Sequence, residues 1–188
     1  MRQQQRLIMN RKADVTLTGV ERMFGKDEII VTKTDLKGHI TYANRLFCQL
    51  AGYSEQQLIG APHCVIRHPN MPKCVFKLLW DTVEAGKEIF AYVVNRSANG
   101  DHYWVLAHVT PSYDASGRID GYHSNRRVPD ATVVRNVIMP LYKKLLDEEA
   151  KHENPKEAMA ASTRLLHKVL DEQGKRYDEL IFSLLRAA

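Results

Sequence analysis

The sequence predicts an α+β fold: a five-stranded antiparallel sheet with short helices on one face and further helices at the C-terminal end. Two β-branched runs come first, at residues 28–35 and 39–44. Helical patterns, interrupted at residues 66–72, follow between residues 45 and 86, and three more extended runs follow before residue 132. Strands that follow one another through short turns pair antiparallel. A block of helices between them covers one face of the sheet.

The first two runs, EIIVTKTD and HITYAN, are separated by the turn LKG and predict a hairpin. The next stretch, RLFCQLAGY, places Leu46, Phe47 and Leu50 at helical spacing and ends at Gly52. SEQQLIG opens with Ser54, a typical N-cap residue. We therefore expect two short helices after the hairpin.

The stretch IRHPNMP, residues 66–72, contains two prolines that fix their own φ angles. The residues before them, His68 and Met71, are pushed toward extended geometry, which excludes a regular helix. Arg67, His68 and Asn70 are thus expected on a preformed turn, where polar groups can be aimed at a ligand. The stretch alone also fits a plain turn with solvated side chains.

An amphipathic helix is predicted for KCVFKLLWDTVEAGK, which ends near Gly86. Its apolar positions are Val75, Phe76, Leu79, Trp80 and Val83. The strands EIFAYVVNR, DHYWVLAHVTPSY and RIDGYHSNRRV follow, separated by the turn sequences SANG and DASG. The space between the sheet and the helices is the natural place for a ligand.

Two apolar stripes predict C-terminal helices at residues 133–149 and 156–186. Their near-heptad spacing fits a helical hairpin or a dimer interface, while packing against the sheet remains open. The stripes are Val134, Val137, Ile138, Leu141 and Leu145, then Met159, Leu166, Leu170, Tyr177, Leu180 and Leu184. We divide the chain into a basic N-terminal segment and cap (1–27), a central α+β domain (28–132) and a C-terminal helical segment (133–188).

Composition is that of an ordinary globular protein, with 44% hydrophobic and 26% charged residues. The formal charge is +5, and Arg2, Arg6, Arg11 and Lys12 are confined to the N-terminal tail, so we do not expect nucleic-acid binding. No apolar run is long enough for a membrane span or signal peptide. The three cysteines form no CxxC pair, which fits reduced thiols in the cytoplasm.

Several motifs resemble PAS domains, and among them the flavin-binding PAS domains of bacterial aerotaxis and energy-taxis receptors. ITYAN followed by AGYSEQQLIG is similar to the general PAS signature. GAPHCVIRHPNMP, the Trp ten residues after Asn70, and VVNRSANGDHYWVLAHVTP resemble the aerotaxis subgroup. The resemblance covers roughly residues 28–132.

This resemblance implies noncovalently bound FAD, with Arg67, His68 and Trp80 in its site. Asn70 departs from the pattern, which usually has Asp there; a carboxamide can still bond a flavin edge but carries no charge. The residues themselves support such a ligand, since Trp80 could cover a flat ring and Arg67 could bind phosphates. Asn95, on the strand face of Ala91 and Val93, could supply a further amide.

Other readings of the polar residues remain open. Asn44 could contact the ligand, but an Asn before a helix is more often an N-cap. His63 or His68 could ligate haem b, because one imidazole is enough. The histidines and cysteines match no zinc spacing, and no catalytic motif is found, so we predict no metal site and no enzyme activity.

The resemblance thus predicts a soluble, cytoplasmic redox or oxygen sensor, held at the inner membrane only through a partner. Asp130 and Thr132 resemble the Asp-x-Thr junction that couples PAS cores to output helices. The expected partners are a second copy of the chain and a membrane-bound chemotaxis-type transducer in trans. The alternatives are a haem-binding oxygen sensor and a cofactor-free PAS dimerisation module.

Overall fold

A computed structural model describes residues 15–186, and their strands form one antiparallel sheet in the order β2-β1-β5-β4-β3. The strands are β1 (Ile30–Asp35), β2 (Ile40–Ala43), β3 (Ile89–Arg96), β4 (His102–Tyr113) and β5 (Ile119–Arg127). The predicted α+β fold with five antiparallel strands is confirmed. β3 lies at one edge, beside the helices that follow β2.

The helices between β2 and β3 begin and end as the local sequence predicts. They are α1 (Arg45–Ala51), α2 (Glu55–Leu58), a 3-10 turn (His63–Ile66) and α3 (Lys73–Glu84). Asn44 caps α1 by accepting from the Phe47 N–H, and Ser54 forms a capping box on α2. The chain between Ile66 and Lys73 is not helical, as the two prolines require.

The two faces of the sheet have different neighbours because side chains alternate along each strand. Val93 and Asn95 face the space covered by α3, whereas Phe90 and Trp104 face the other way. Phe90 packs 5.1 Å from Phe182, and Trp104 packs 6.1 Å from Tyr142, between ring centroids. The C-terminal helices therefore cover the β3 and β4 end of the second face.

The C-terminal segment differs from the prediction in its helix boundaries. It forms α4 (Ala131–Val133), a π turn (Val134–Ile138), α5 (Met139–Glu149), α6 (Pro155–Glu172) and α7 (Tyr177–Arg186). The single helix predicted for 156–186 is wrong, because Gly174 takes a left-handed φ of 61° and separates α6 from α7. The π turn lies just before Pro140, which lacks the N–H that a regular helix would use.

The apolar stripes of these helices are buried within the chain itself. Leu145, Leu166, Leu170 and Leu180 are all buried in the core. Packing against the core, the alternative left open by the sequence, is therefore what this segment does. The dimer interface predicted on these leucines is not available to a second copy while they are packed there.

The described part of the N-terminal segment lies along the start of β4. The Thr18 N–H donates to the Gly100 carbonyl, and Arg22 binds Asp101 at 2.9 Å from Nε to Oδ2. The four basic residues predicted to form a flexible tail lie outside the described residues. Across residues 15–186, none of the helices combines the length and apolar character needed to cross a bilayer.

Candidate ligand-binding site

A cavity of about 310 Å³ lies between the inner face of the sheet and the α3 side of the domain. Its wall combines apolar and polar side chains. The apolar part is Ile66, Phe76, Leu79, Trp80, Val93, Ala107, Val109 and Tyr122, and the polar part includes Thr32, Thr34, His63, Arg67, Asn95, Ser124 and Arg126. This volume is in the range of small-molecule sites.

Aromatic rings form one wall of the cavity. Trp80 on α3 meets Tyr122 on β5 edge to face, with ring centroids 5.3 Å apart. The β1–β2 turn reaches this wall through Gly38, whose φ is 76°. A Cβ on Gly38 would lie 3.3 Å from Cη2 of Trp80, so a side chain here would crowd the ring. The turn LKG thus closes the cavity against Trp80.

Arg67 and Asn95 enter the cavity from neighbouring backbone positions. An isolated antiparallel bridge joins Arg67 to Asn95 on the free side of β3, which fixes the IRHPNMP turn on the sheet edge. The Arg67 guanidinium lies 4.0 Å above the Phe76 ring centroid. Burial lowers the pKa of Arg67, and the nearby charge of Glu149 opposes that shift. Arg67, Trp80 and Asn95 therefore lie together around one cavity.

Arg126, on β5, is a charged cavity residue that the sequence did not indicate. Its side chain is 5% exposed. Nη2 donates to Oγ1 of Thr32 and to Nε2 of His63, both at 2.8 Å. No Asp or Glu among residues 15–186 forms an ion pair with Arg126. Burial lowers its pKa from 12.5 to about 10, so the protein holds an uncompensated cation at the cavity wall.

The contact with Arg126 also defines the state of His63. A guanidinium can only donate, so Nε2 of His63 must accept and cannot carry a proton. Burial first, and the Arg126 charge second, lower the pKa of His63 from 6.5 to about 3. His63 is therefore neutral, with its proton on Nδ1.

Four polar groups of the wall each have a buried atom without a hydrogen-bond partner among the described residues. They are Thr34 Oγ1, Asn95 Nδ2, Ser124 Oγ and Arg126 Nη1. Buried polar atoms are nearly always paired, and leaving one unpaired costs about 1 to 3 kcal/mol. Two of the four, Asn95 Nδ2 and Arg126 Nη1, can only donate, so a ligand group that pairs with either of them must be an acceptor.

Three of the predicted site residues lie outside this cavity wall. Asn44 is the N-cap of α1, and its amide also bonds the backbone of residues 29 and 31. Asn70 is exposed, and its backbone N–H donates to Nδ1 of His68 at 3.0 Å. His68 is buried beside His102, with ring centroids 5.8 Å apart. The alternation of the IRHPNMP backbone turns Arg67 toward the cavity and His68 away from it.

Comparison with known proteins relates part of the chain to a known fold. A family model described as "PAS fold" matches residues 40–126. The aerotaxis receptor of Escherichia coli (strain K12) is 43% identical over 120 residues, which are 63% of this chain and 23% of that receptor. Residues 40–126 form a PAS domain. The predicted resemblance of this PAS domain to the aerotaxis receptor is confirmed, although the match spans under a quarter of that relative.

Other relatives of the PAS domain are more distant. The nitrogen fixation regulatory protein of Klebsiella pneumoniae is 26% identical over 105 residues, 56% of this chain and 21% of that protein. The dark structure of the blue-light photoreceptor Aureochrome1 LOV matches 61% of this chain and 86% of its own, with a TM-score of 0.54 and 20% identity. A light-oxygen-voltage domain studied with a flavin analogue covers 62% of this chain and 87% of its own, at a TM-score of 0.52 and 14% identity. At these identities the likeness of the solved structures concerns the fold alone.

Proposed function

We propose that the PAS cavity binds the isoalloxazine ring of FAD and that the protein senses redox state or oxygen through it. The observation that carries this proposal is the buried Arg126 cation at a wall with several unpaired polar atoms. A folded protein tolerates such a set when a ligand completes it. The isoalloxazine ring is flat, apolar on its faces and rich in acceptors along its pyrimidine edge, which is the chemistry that this wall selects.

The dimensions support binding of the ring but not of the whole FAD inside the cavity. About 310 Å³ suits a tricyclic ring, with Trp80 and Phe76 along its faces. The rest of FAD must then leave through the open side, where Lys37 and Cys64 are exposed and Arg67 lines the wall. A guanidinium there can bind phosphate in a bidentate manner. We assign the ring edge to Asn95 and Arg126 and the phosphates to Arg67.

A flavin supplies reversible electron transfer, with a ring whose charge and protonation depend on its redox state. The chain's own contribution is electrostatic. Arg126 holds positive charge at the polar edge, and the neutral His63 fixes its guanidinium without cancelling that charge. A cation in this position favours the form of the ligand with more negative charge on that edge. A change in the charge of the ligand would therefore change the electrostatic force on Arg126 in β5 and on His63 in the 3-10 turn.

Haem b fits this wall less well than flavin. Nε2 of His63 already accepts from Arg126, so an iron would have to displace a buried guanidinium and lie beside its charge. His68 lies outside the cavity, and its Nδ1 accepts from the Asn70 N–H. A cofactor-free module would leave the four unpaired wall atoms without a partner. The resemblance to the flavin-binding PAS domains of aerotaxis receptors, to one of which the chain is 43% identical over 120 residues, also favours flavin.

For output, we propose that residues 28–132 are the sensor and residues 133–188 transmit its state to a membrane-bound chemotaxis-type transducer. Asp130 caps the first output helix through the Thr132 and Val133 N–H groups, so the end of β5 is tied to α4. The chain acts as a binding protein rather than an enzyme in this scheme. Self-association is also proposed, through Phe182 and Leu185, which stay exposed on α7. Light scattering of the purified chain, and of a Phe182→Ser variant, measures it.

The proposed ligand is tested by titrating the ligand-free protein with FAD, riboflavin and haem in parallel. A ring stacked near Trp80 should lose most of its fluorescence, so quenching reports binding of the two flavins. We expect FAD to bind more tightly than riboflavin, because only FAD carries phosphates for Arg67. Equal binding of FAD and riboflavin would refute the phosphate assignment. Saturable binding of haem with no binding of flavin would refute the proposal itself.

A further inference from the structure

The last residue of α5, Glu149, is buried and bound to the first turn of the cavity helix α3. Its side chain is 7% exposed. Oε1 accepts from the backbone N–H of Lys73 at 2.7 Å and of Cys74 at 3.3 Å. It also accepts from the hydroxyl of Ser162 on α6, at 2.9 Å. One carboxylate oxygen thus joins α3, α5 and α6.

This contact supplies what α3 lacks locally. The residue before α3 is Pro72, whose side chain has no acceptor, so the first N–H groups of the helix need a partner from elsewhere. A carboxylate is the best such partner, because it also complements the positive end of the helix dipole. The ion pairs found at this end of the described chain involve Glu148 and other outer side chains, and none of them involves Glu149. The buried carboxylate of Glu149 therefore depends for its hydrogen bonds on the N–H groups of α3 and on the Ser162 hydroxyl.

The same helix forms the cavity wall. Phe76, Leu79 and Trp80 follow the capped turn and line the cavity, and Arg67 precedes it. The charge of Glu149 also favours the charged form of Arg67, whose pKa burial lowers. A displacement of α3 by a change in the cavity moves the N–H groups that Glu149 binds. A hydrogen bond weakens steeply once its donor and acceptor part by more than a few tenths of an ångström.

We propose that Glu149 is a clasp that couples the cavity helix α3 to the C-terminal helices, so that the ligand state of the cavity controls how firmly α5 and α6 are docked. The clasp has two arrangements, closed on the Lys73 and Cys74 N–H groups or open, and such a two-state contact can transmit a signal. This proposal rests on the proposed function only for the identity of the ligand. Coupling is reciprocal, so opening the clasp must also loosen the cavity wall.

Amide hydrogen exchange, read by mass spectrometry on the full chain, tests the clasp without any ligand. Glu149→Ala removes it, and Glu149→Gln keeps an acceptor but no charge. Glu148→Ala is the matched control, because Glu148 is the preceding residue and binds only the outer Lys151 and His152 among the described ion pairs. We expect exchange in residues 73–84 and 155–172 to be at least tenfold faster in Glu149→Ala and intermediate in Glu149→Gln. Glu148→Ala should match the parent.

Exchange rates in Glu149→Ala and Glu149→Gln equal to the parent would overturn the proposal, and so would faster exchange confined to residues 155–172. If the alanine variant does not fold, the glutamine variant decides in the same way. A second arm repeats the measurement with saturating FAD, which should change exchange in residues 155–172 of the parent but not of the glutamine variant. Absence of FAD binding would reject the proposed function, whereas the ligand-free comparison would still decide for or against the clasp.

Discussion

Replacing Arg126 by Met should separate ligand binding from folding. The pKa of Arg126, lowered from 12.5 to about 10, corresponds to roughly 3 kcal/mol against its buried charge. Met removes this penalty while filling similar space. It also leaves Nε2 of His63 and Oγ1 of Thr32 unpaired, at about 1 to 3 kcal/mol for such a group. Because the two effects oppose each other, the free energy of unfolding without ligand should change by less than about 2 kcal/mol.

With ligand present the same substitution should have a clear effect. A lost charge-assisted hydrogen bond of about 2 kcal/mol weakens binding about 30-fold. FAD at a hundred times the parent's Kd stabilises the parent by about 2.7 kcal/mol, and the same concentration should stabilise Arg126→Met by less than about 1 kcal/mol. The quantity to measure is the difference between the stabilisation of the parent by FAD and the stabilisation of Arg126→Met by FAD.

Urea unfolding with and without FAD provides the assay, and Arg127→Met is the matched control. Arg127 is the next residue of β5 and is exposed, so its replacement should alter neither quantity. Equal stabilisation of Arg126→Met and the parent by FAD would show that Arg126 does not face the ligand. A loss of more than about 3 kcal/mol without ligand would make Arg126 a structural residue instead.

Three further outcomes are expected from the cavity. Trp80→Ala should weaken FAD binding at least tenfold, about 1.4 kcal/mol, while Trp80→Phe retains most of it; fluorescence titration checks both. Arg67→Ala should reduce the affinity for FAD but not for riboflavin, and equal losses would contradict a phosphate contact. Unfolding at several pH values tests His63, whose folded pKa near 3 lies below its unfolded value of 6.5. As the pH falls from 6.5 toward 3, His63 should lower the stability by up to about 1.4 kcal/mol per pH unit, and His63→Gln should remove that share of the slope; the share of His68, whose pKa burial lowers to about 4, should remain.

Most of the PAS fold could be predicted from the sequence because its signals are local. Alternating β-branched runs, the Asn44 and Ser54 caps and the prolines of IRHPNMP each act within a few residues. The break between α6 and α7 was missed because the apolar stripe continues across Gly174 in register. A single glycine in a helical pattern is ambiguous, and tertiary packing decided this one.

The site was only partly predictable for a geometric reason. Arg67, Trp80 and Asn95 were expected in one cavity and lie there, while His68 and Asn70 were expected with them and do not. Sequence proximity to Arg67 was misleading, since neighbours on an extended turn point to different sides.

Arg126 was missed because NRR offers two adjacent arginines, and only the register of β5 against β1 selects the buried one. In the structure Thr32 pairs with Ser124, so Ser124 and Arg126, two residues further along β5, both face the cavity. Glu149 could not be found from the sequence, because the backbone N–H groups that it binds lie 76 and 75 residues earlier in the chain.

The cofactor content of the protein purified from its native cells tests most directly whether the cavity binds FAD. We expect a yellow flavin spectrum, and acid treatment should release FAD, in roughly one-to-one ratio with the chain, that co-migrates with authentic FAD in chromatography. Mild reduction should bleach the spectrum and reoxidation in air restore it. A haem spectrum, or protein that stays colourless and binds no FAD when the cofactor is supplied in excess, would refute the binding of FAD by this protein.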